Sequence, residues 1–306
     1  MRLVFAGTPS VAVPSLEAMR AAGHELTAVI SRQDAPLGRK RVLTPSPVAA
    51  WAQDRGVPAI KANRLDAAVT AEVAALQADL GVIVAYGGLV REPLLSTPRL
   101  GWINLHFSLL PRWRGAAPVQ HAILAGDDVT GVTVFQLAPG LDTGAVFATR
   151  RRAIGPDETS GELLSALAVD GAELLVSVVD GLQAGTAHAA RQSGEPTAAP
   201  KITLDDAYVR WHEPTAAVYS RIRAVTPEPG AFTHVDDERF KLLEVRIGPQ
   251  QHRLPPGRIV DADSRILIGT ISDPLELLRV QPAGRRPMPA ADWWRGRSRD
   301  AATVAE

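Results

Sequence analysis

There is no cysteine among the 306 residues. Disulfides, thiolate nucleophiles and Cys-ligated zinc or iron–sulfur centres are therefore excluded together. A surplus of either charge is also missing: 33 Lys and Arg stand against 33 Asp and Glu, a formal net charge of +0. General polyanion binding needs excess base, so any contact with nucleic acid has to come from a local cluster. Long apolar runs are lacking too. Residues 80–90 form an uncharged stretch of 11, short of the roughly 20 that span a bilayer. The start, MRLVFAGTPS, has no apolar segment of signal-peptide length followed by a small-residue cleavage site. These absences lead to the expectation of a soluble, cytoplasmic protein. Its 46% apolar and 22% charged residues are an ordinary globular composition. The length suits two domains at roughly 100–200 residues each.

In residues 1–155 short apolar runs alternate with helical patterns. Leu3 to Ala6, Leu26 to Ile30, Leu80 to Ala85 and Trp102 to His106 read as strands. Gly131 to Leu137 and Ala145 to Thr149 complete the set. Ser46-Pro47 marks a helix start, with Ser as N-cap and Pro at the first helical position. Strands separated by helices predict a Rossmann-like, mostly parallel sheet with helices on both faces. A long helix follows, opened by the capping-box pattern Thr159-x-x-Glu162. Small and polar residues then take over. Beyond residue 204 short β-like runs recur between Gly, Pro and Asp clusters, predicting a small antiparallel barrel or sandwich. The expected domains are 1–186, a linker over 187–203, and 204–306.

The stretch from Asn104 to Gly115 carries the chemistry. Alternation on a strand puts Asn104 and His106 on one face, and ligands of open α/β sheets bind beyond the carboxyl ends of strands. Asp142 follows on a Gly-flanked turn after the next strand. A carboxylate beside His106 is expected to raise the imidazole pKa and fix its orientation. An amide, an imidazole and a carboxylate suit acyl-type transfer to an amine: donors hold an oxyanion while a base takes the amine proton. From spacing alone two plainer readings stay open. Asn-x-His also occurs as a satisfied structural pair, and Asp-Thr-Gly as a turn. No second Asp motif supports an aspartic protease, and Ser108 lacks a nucleophile-elbow context. No G-x-G-x-x-G, no Walker lysine and no metal-type His spacing occurs, so no metal is expected.

At these residues the chain resembles the methionyl-tRNA formyltransferases. The matching pieces are Phe5-Ala-Gly-Thr-Pro9, Pro45-Ser-Pro47, Val84-Ala-Tyr-Gly87, Asn104-x-His-x-Ser-Leu-Leu-Pro-x-Trp-Arg-Gly-Ala-Ala-Pro118 and Gly140-Leu-Asp-Thr-Gly144. Later ones are Ala199-Pro-Lys-Ile202, Ile222-Arg-Ala224 and Gln281-Pro-Ala-Gly284. The resemblance implies transfer of the formyl group of 10-formyltetrahydrofolate to the α-amine of methionyl initiator tRNA. Asn104, His106 and Asp142 fall on the family's catalytic positions. Folate is placed beside Ser108, Leu109, Leu110 and Pro111, and near Val84, Tyr86 and Gly87. Free backbone groups in the turn at residues 86–88 are one source of its hydrogen bonds; a plain tight turn is the other reading. The C-terminal region is implied to be an OB-like, tRNA-binding barrel. Phe107 departs from the family, where Gly is common.

Related formyltransferases that act on amino-sugar nucleotides share the Asn-x-His…Ser-Leu-Leu-Pro core and form the alternative. A catalytically idle RNA-binding module on the same fold is a further one, which the intact Asn–His–Asp set opposes. For the RNA, the resemblance implies that the loop with Arg39, Lys40 and Arg41 meets the tRNA acceptor end. A plain solvated loop is the alternative. Arg279, Arg285, Arg286, Arg295, Arg297 and Arg299 form a second basic cluster around Trp293 and Trp294. RNA and folate are the expected partners, with no membrane, and a monomer is expected.

Overall fold

The computed structural model describes residues 1–38, 40–250, 252–297 and 303–306. Two compact units are present. The first comprises Met1–Pro118, Val129–Ala153 and Leu164–Pro200; the second comprises Val119–Asp128, Ile154–Leu163 and Lys201–Glu306.

The apolar runs of the first unit become a seven-stranded sheet. Its strands are β1 (Arg2–Gly7), β2 (Glu25–Ser31), β3 (Ala59–Lys61), β4 (Leu80–Val84), β5 (Trp102–His106), β6 (Val129–Gln136) and β7 (Val146–Ala153). Their order across the sheet is β7-β6-β5-β4-β1-β2-β3. The first five are mutually parallel, while β6 runs against both β5 and β7. All five residues of β4 are buried, as expected of a parallel strand covered on both faces. Local chemistry sets the helix starts where spacing predicts them. The Ser46 hydroxyl accepts the Ala49 N–H at 3.1 Å, opening the helix Pro47–Asp54. At the helix Ser160–Ala184, the Thr159 N–H donates to the Glu162 carboxylate at 2.9 Å, and the Glu162 N–H returns to the Thr159 hydroxyl at 3.4 Å. Those bonds hold the Glu162 carboxyl below its usual range, the Thr159 N–H foremost.

The sheet faces position the site. Gly171, on the long helix, comes down on Leu105 of β5; a Cβ there would sit 2.7 Å from Leu105 Cδ2. Leu105 alternates with Asn104 and His106, so this helix covers the face opposite those two side chains. On their own face Trp102 is fully buried, in a core with Val4, Ala6, Ile30 and Tyr86. Strand direction matters for Asp142. Because β6 is antiparallel, Gln136 pairs with Ile103 and Thr133 with His106. The end of β6 thus lies beside the start of β5, not beside its carboxyl end. The turn at residues 137–145 has to reach back along β5 for Asp142 to meet His106.

In the second unit β8 (Phe232–Val235), β9 (Glu238–Ile247), β10 (Arg258–Ala262), β11 (Arg265–Ile268) and β12 (Leu275–Pro282) pair antiparallel in the order β8-β9-β12-β11-β10. Thr303–Val304 adds to β10, and Ala305 bridges to Val235 of β8. The sheet thereby closes into a small barrel. Its core holds Trp211, Phe240, Leu277 and the apolar face of the helix Thr215–Ala224. Trp293 packs on this core, its ring centroid 4.5 Å from that of Phe240.

Candidate active site

Asn104 and His106 close β5, and the following loop folds back over them. Ser108 is buried and its hydroxyl donates to the Arg112 carbonyl at 2.6 Å. From β6, the Thr133 hydroxyl donates to the Ser108 carbonyl at 2.7 Å and accepts the Leu110 N–H at 3.2 Å. Leu109 packs on Gly131, where a Cβ would lie 2.7 Å from its Cδ2. Tethered in this way, the loop brings the Trp113 carbonyl to 2.8 Å from His106 Nε2. A carbonyl only accepts, so Nε2 carries the proton and Nδ1 of the neutral ring is bare.

Nδ1 faces Asp142, whose Oδ2 lies 3.9 Å away. That is an ion-pair separation, too long for a hydrogen bond. The same oxygen accepts the Gly115 N–H at 2.8 Å. His106 is 6% exposed and Asp142 8%, and the Phe135 ring lies nearly perpendicular to the imidazole at 6.4 Å between centroids. Asp142 raises the imidazole pKa as expected, and the Trp113 carbonyl adds to that, but burial lowers it by more, so the net shift is downward. The ring is neutral near pH 7 and Nδ1 is a proton acceptor. Asn104 is half-buried, and its amide makes no hydrogen bond among the described residues. It remains able to donate to an incoming oxygen.

The backbone around the site is under tension. Ala85, Trp113 and Asp142 have φ of +50°, +62° and +52°. An L-residue occupies this region only when its surroundings impose it, and such residues gather at functional sites. Val84 and Tyr86 turn their side chains into the core, and the Tyr86 hydroxyl donates to the Ala62 carbonyl at 2.7 Å. For the turn at residues 86–88 two readings stand open, free backbone groups and a plain tight turn. The Tyr86 carbonyl accepts from Arg32 Nε at 3.4 Å, and the Gly87 carbonyl from Arg32 Nη2. Pro111 is buried, Leu109 and Leu110 half-buried, and Phe107 is buried. No group of His, Asp or Glu among the described residues is arranged to hold a metal ion.

Residues 1–179 match the family described as "Formyl transferase", and residues 201–298 match "Formyl transferase, C-terminal domain". A methionyl-tRNA formyltransferase of Clavibacter sepedonicus is 62% identical over 296 residues, 97% of each chain. That of Leifsonia xyli is also 62% identical over the same share of both chains. The chain belongs to the methionyl-tRNA formyltransferase family. The amino-sugar alternative is much more distant. An N-formyltransferase of Helicobacter canadensis, solved with folinic acid and dTDP-3-aminofucose, is 16% identical at a TM-score of 0.68, covering 92% of this chain and 98% of its own. That likeness shows the fold alone.

For a methionyl-tRNA formyltransferase the basic residues matter. Lys40 and Arg41 are exposed on the hairpin of Ala35–Leu37 with Val42–Thr44; Arg39 lies outside the described residues. Arg285 and Arg286 are exposed in the turn after β12. Arg295 pairs with Asp292, and Arg297 with Asp236 at 2.8 Å, so these two are partly spent; Arg299 lies outside the described residues. Trp293 and Trp294 serve the barrel core. Sequence reasoning missed Gln192 and Thr197, which bind the segments at Trp113–Gly115 and Asp142–Gly144 from the stretch after the long helix, and the role of Arg114 as a partner of Gln192. A Gln in a Gly-, Ala- and Pro-rich stretch gives no local sign of a partner far along the chain.

Proposed function

We propose that Asn104, His106 and Asp142 carry the transfer of a formyl group from 10-formyltetrahydrofolate to the α-amine of methionyl initiator tRNA. The observation that carries this reading is the meeting of His106 Nδ1 and Asp142 Oδ2 at 3.9 Å, on the face that also bears Asn104. The folate supplies an activated formyl carbon when bound. The unengaged Asn104 amide and the bare Nδ1 fit that chemistry, one donating to the formyl oxygen and the other receiving a proton. The Asn104 N–H stabilises charge on the oxygen; a donor of this kind is typically worth about 2.7–4 kcal/mol of barrier. His106 Nδ1 takes the proton released as the amine nitrogen bonds to the formyl carbon. The imidazolium that forms is a donor at both nitrogens, and Asp142 offsets its charge. The bond between the formyl carbon and the folate nitrogen then breaks, and the proton passes to that departing nitrogen, leaving His106 neutral again.

Leu109 and Leu110 offer a half-buried apolar wall for a flat ring system, with Ser108 and Pro111 holding the loop's shape. Val84, Tyr86 and Gly87 act as its support through backbone and core packing. Residues 1–186 are assigned to catalysis and 204–306 to RNA, joined through 187–203. Lys40, Arg41, Arg285 and Arg286, with Arg39, are the cations for tRNA phosphates. The protein is read as a cytoplasmic monomer, checked by sedimentation at its 32.6 kDa.

The deciding assay supplies labelled 10-formyltetrahydrofolate with either methionyl initiator tRNA or an amino-sugar nucleotide. Label is expected on the tRNA only, and His106→Ala should lose turnover strongly with tRNA binding retained. Label on the sugar, or unchanged turnover in His106→Ala, refutes the reading.

A further inference from the structure

The stretch after the long helix is not slack chain. Ala190 and Val146 exchange backbone hydrogen bonds of 2.7 and 2.9 Å. The Thr197 hydroxyl accepts the Trp113 N–H at 2.8 Å, and Ala198–Ala199 pair in parallel with Arg114–Gly115. At Gly115 φ is +128° and a Cβ would lie 2.5 Å from the Ala199 carbonyl oxygen; only glycine permits that approach.

Gln192 is the centre of this strap. Its Nε2 donates to the carbonyls of Asp142 at 2.7 Å and Gly144 at 2.9 Å. Its Oε1 accepts from Arg114 Nη2 at 2.6 Å and Nε at 3.2 Å. Two donors and two lone pairs exhaust what one amide offers. The two ends of the bridge belong to one assembly. Arg114 precedes Gly115, whose N–H holds the Asp142 carboxylate at 2.8 Å. Gln192 therefore ties the main chain of the Asp142 turn to the segment that fixes the Asp142 side chain. Asp142, at φ +52°, needs such a restraint.

The geometry points to Gln192 as a positioning residue for formyl transfer, setting where the Asp142 carboxylate stands against His106. It rests on the reading of Asp142 as a catalytic group. Misplacement by about 1 Å can cost about a hundred-fold in rate.

Gln192→Glu separates positioning from bracing. A carboxylate keeps the shape and the Arg114 contact but cannot donate, and it repels the two carbonyls. Positioning predicts that Gln192→Glu and Gln192→Met both lose about ten-fold or more in kcat, with KM for folate and tRNA within about two-fold. The acid limb of the Gln192→Met kcat profile should move to lower pH, since His106 loses part of the carboxylate that supports its protonated form and no new charge replaces it. Wild-type kcat in folded Gln192→Glu, alongside an impaired Asp142→Asn, overturns the role of Gln192 alone. Wild-type kcat in Asp142→Asn overturns the reading of Asp142, and this inference with it.

Discussion

Replacing Thr133 by Val tests how the loop of Ser108 to Pro111, proposed to face folate, is held. The two side chains have nearly the same shape, so packing is preserved and only the hydroxyl is lost. In the wild type that hydroxyl is 0% exposed with its residue, donates to the Ser108 carbonyl at 2.7 Å and accepts the Leu110 N–H at 3.2 Å. Its removal orphans both groups. A buried polar group left without a partner costs about 1–3 kcal/mol. Ser108 is buried, so its carbonyl bears the larger share; Leu110 is half-buried and recovers part through water. The sum is about 3 kcal/mol. Urea titration should show the transition of the first unit shifted by this amount with its slope unchanged. The freed loop should also raise KM for 10-formyltetrahydrofolate several-fold while KM for tRNA stays put. A shift under about 0.5 kcal/mol, with KM unchanged, refutes the view that Thr133 tethers this loop.

The buried histidines set a pH dependence of stability. His106 and His24 both titrate below the ordinary value of 6.5, in each case chiefly through burial. As pH falls through 6.5 the unfolded chain gains protons that the folded chain refuses, so stability present above that pH is lost until the lowered values are reached. His106→Gln should lose less stability than wild type between neutral and mildly acidic pH in paired urea titrations; an equal loss counts against it. Thr159→Ala removes the reciprocal cap and should cost about 1 kcal/mol, read from the urea midpoint. Lys40→Ala with Arg41→Ala should raise KM for tRNA and flatten its dependence on salt, leaving KM for folate unchanged; an unaltered salt slope removes the hairpin from the RNA surface.

The local signals in the chain match the folded elements. The caps at Ser46 and Thr159 depend on groups three residues apart, and the strand alternation at Asn104 and His106 on groups two apart. Such signals survive in the chain itself. The strand runs beyond residue 204 predict an antiparallel barrel or sandwich for the same reason, and the Ala305–Val235 bridge decides for the barrel. For Trp293 and Trp294 the sequence favours anchoring a C-terminal helix on the barrel over facing RNA, and their packing on the Phe240 core agrees.

The chain alone specified the chemistry on offer: no thiol, no metal spacing, and an amide, an imidazole and a carboxylate within motifs of one family. It also set where helices begin and which strand residues share a face, because those choices turn on neighbours a few residues away. Only the tertiary structure decided that β6 runs antiparallel and that the Asp142 turn doubles back. The same holds for His106, whose burial outweighs its carboxylate, and for Gln192, which grips a turn 50 residues distant. Strand direction, desolvation and long-range hydrogen bonds are settled by what the folded chain brings into contact, and none of them leaves a periodic mark in the sequence.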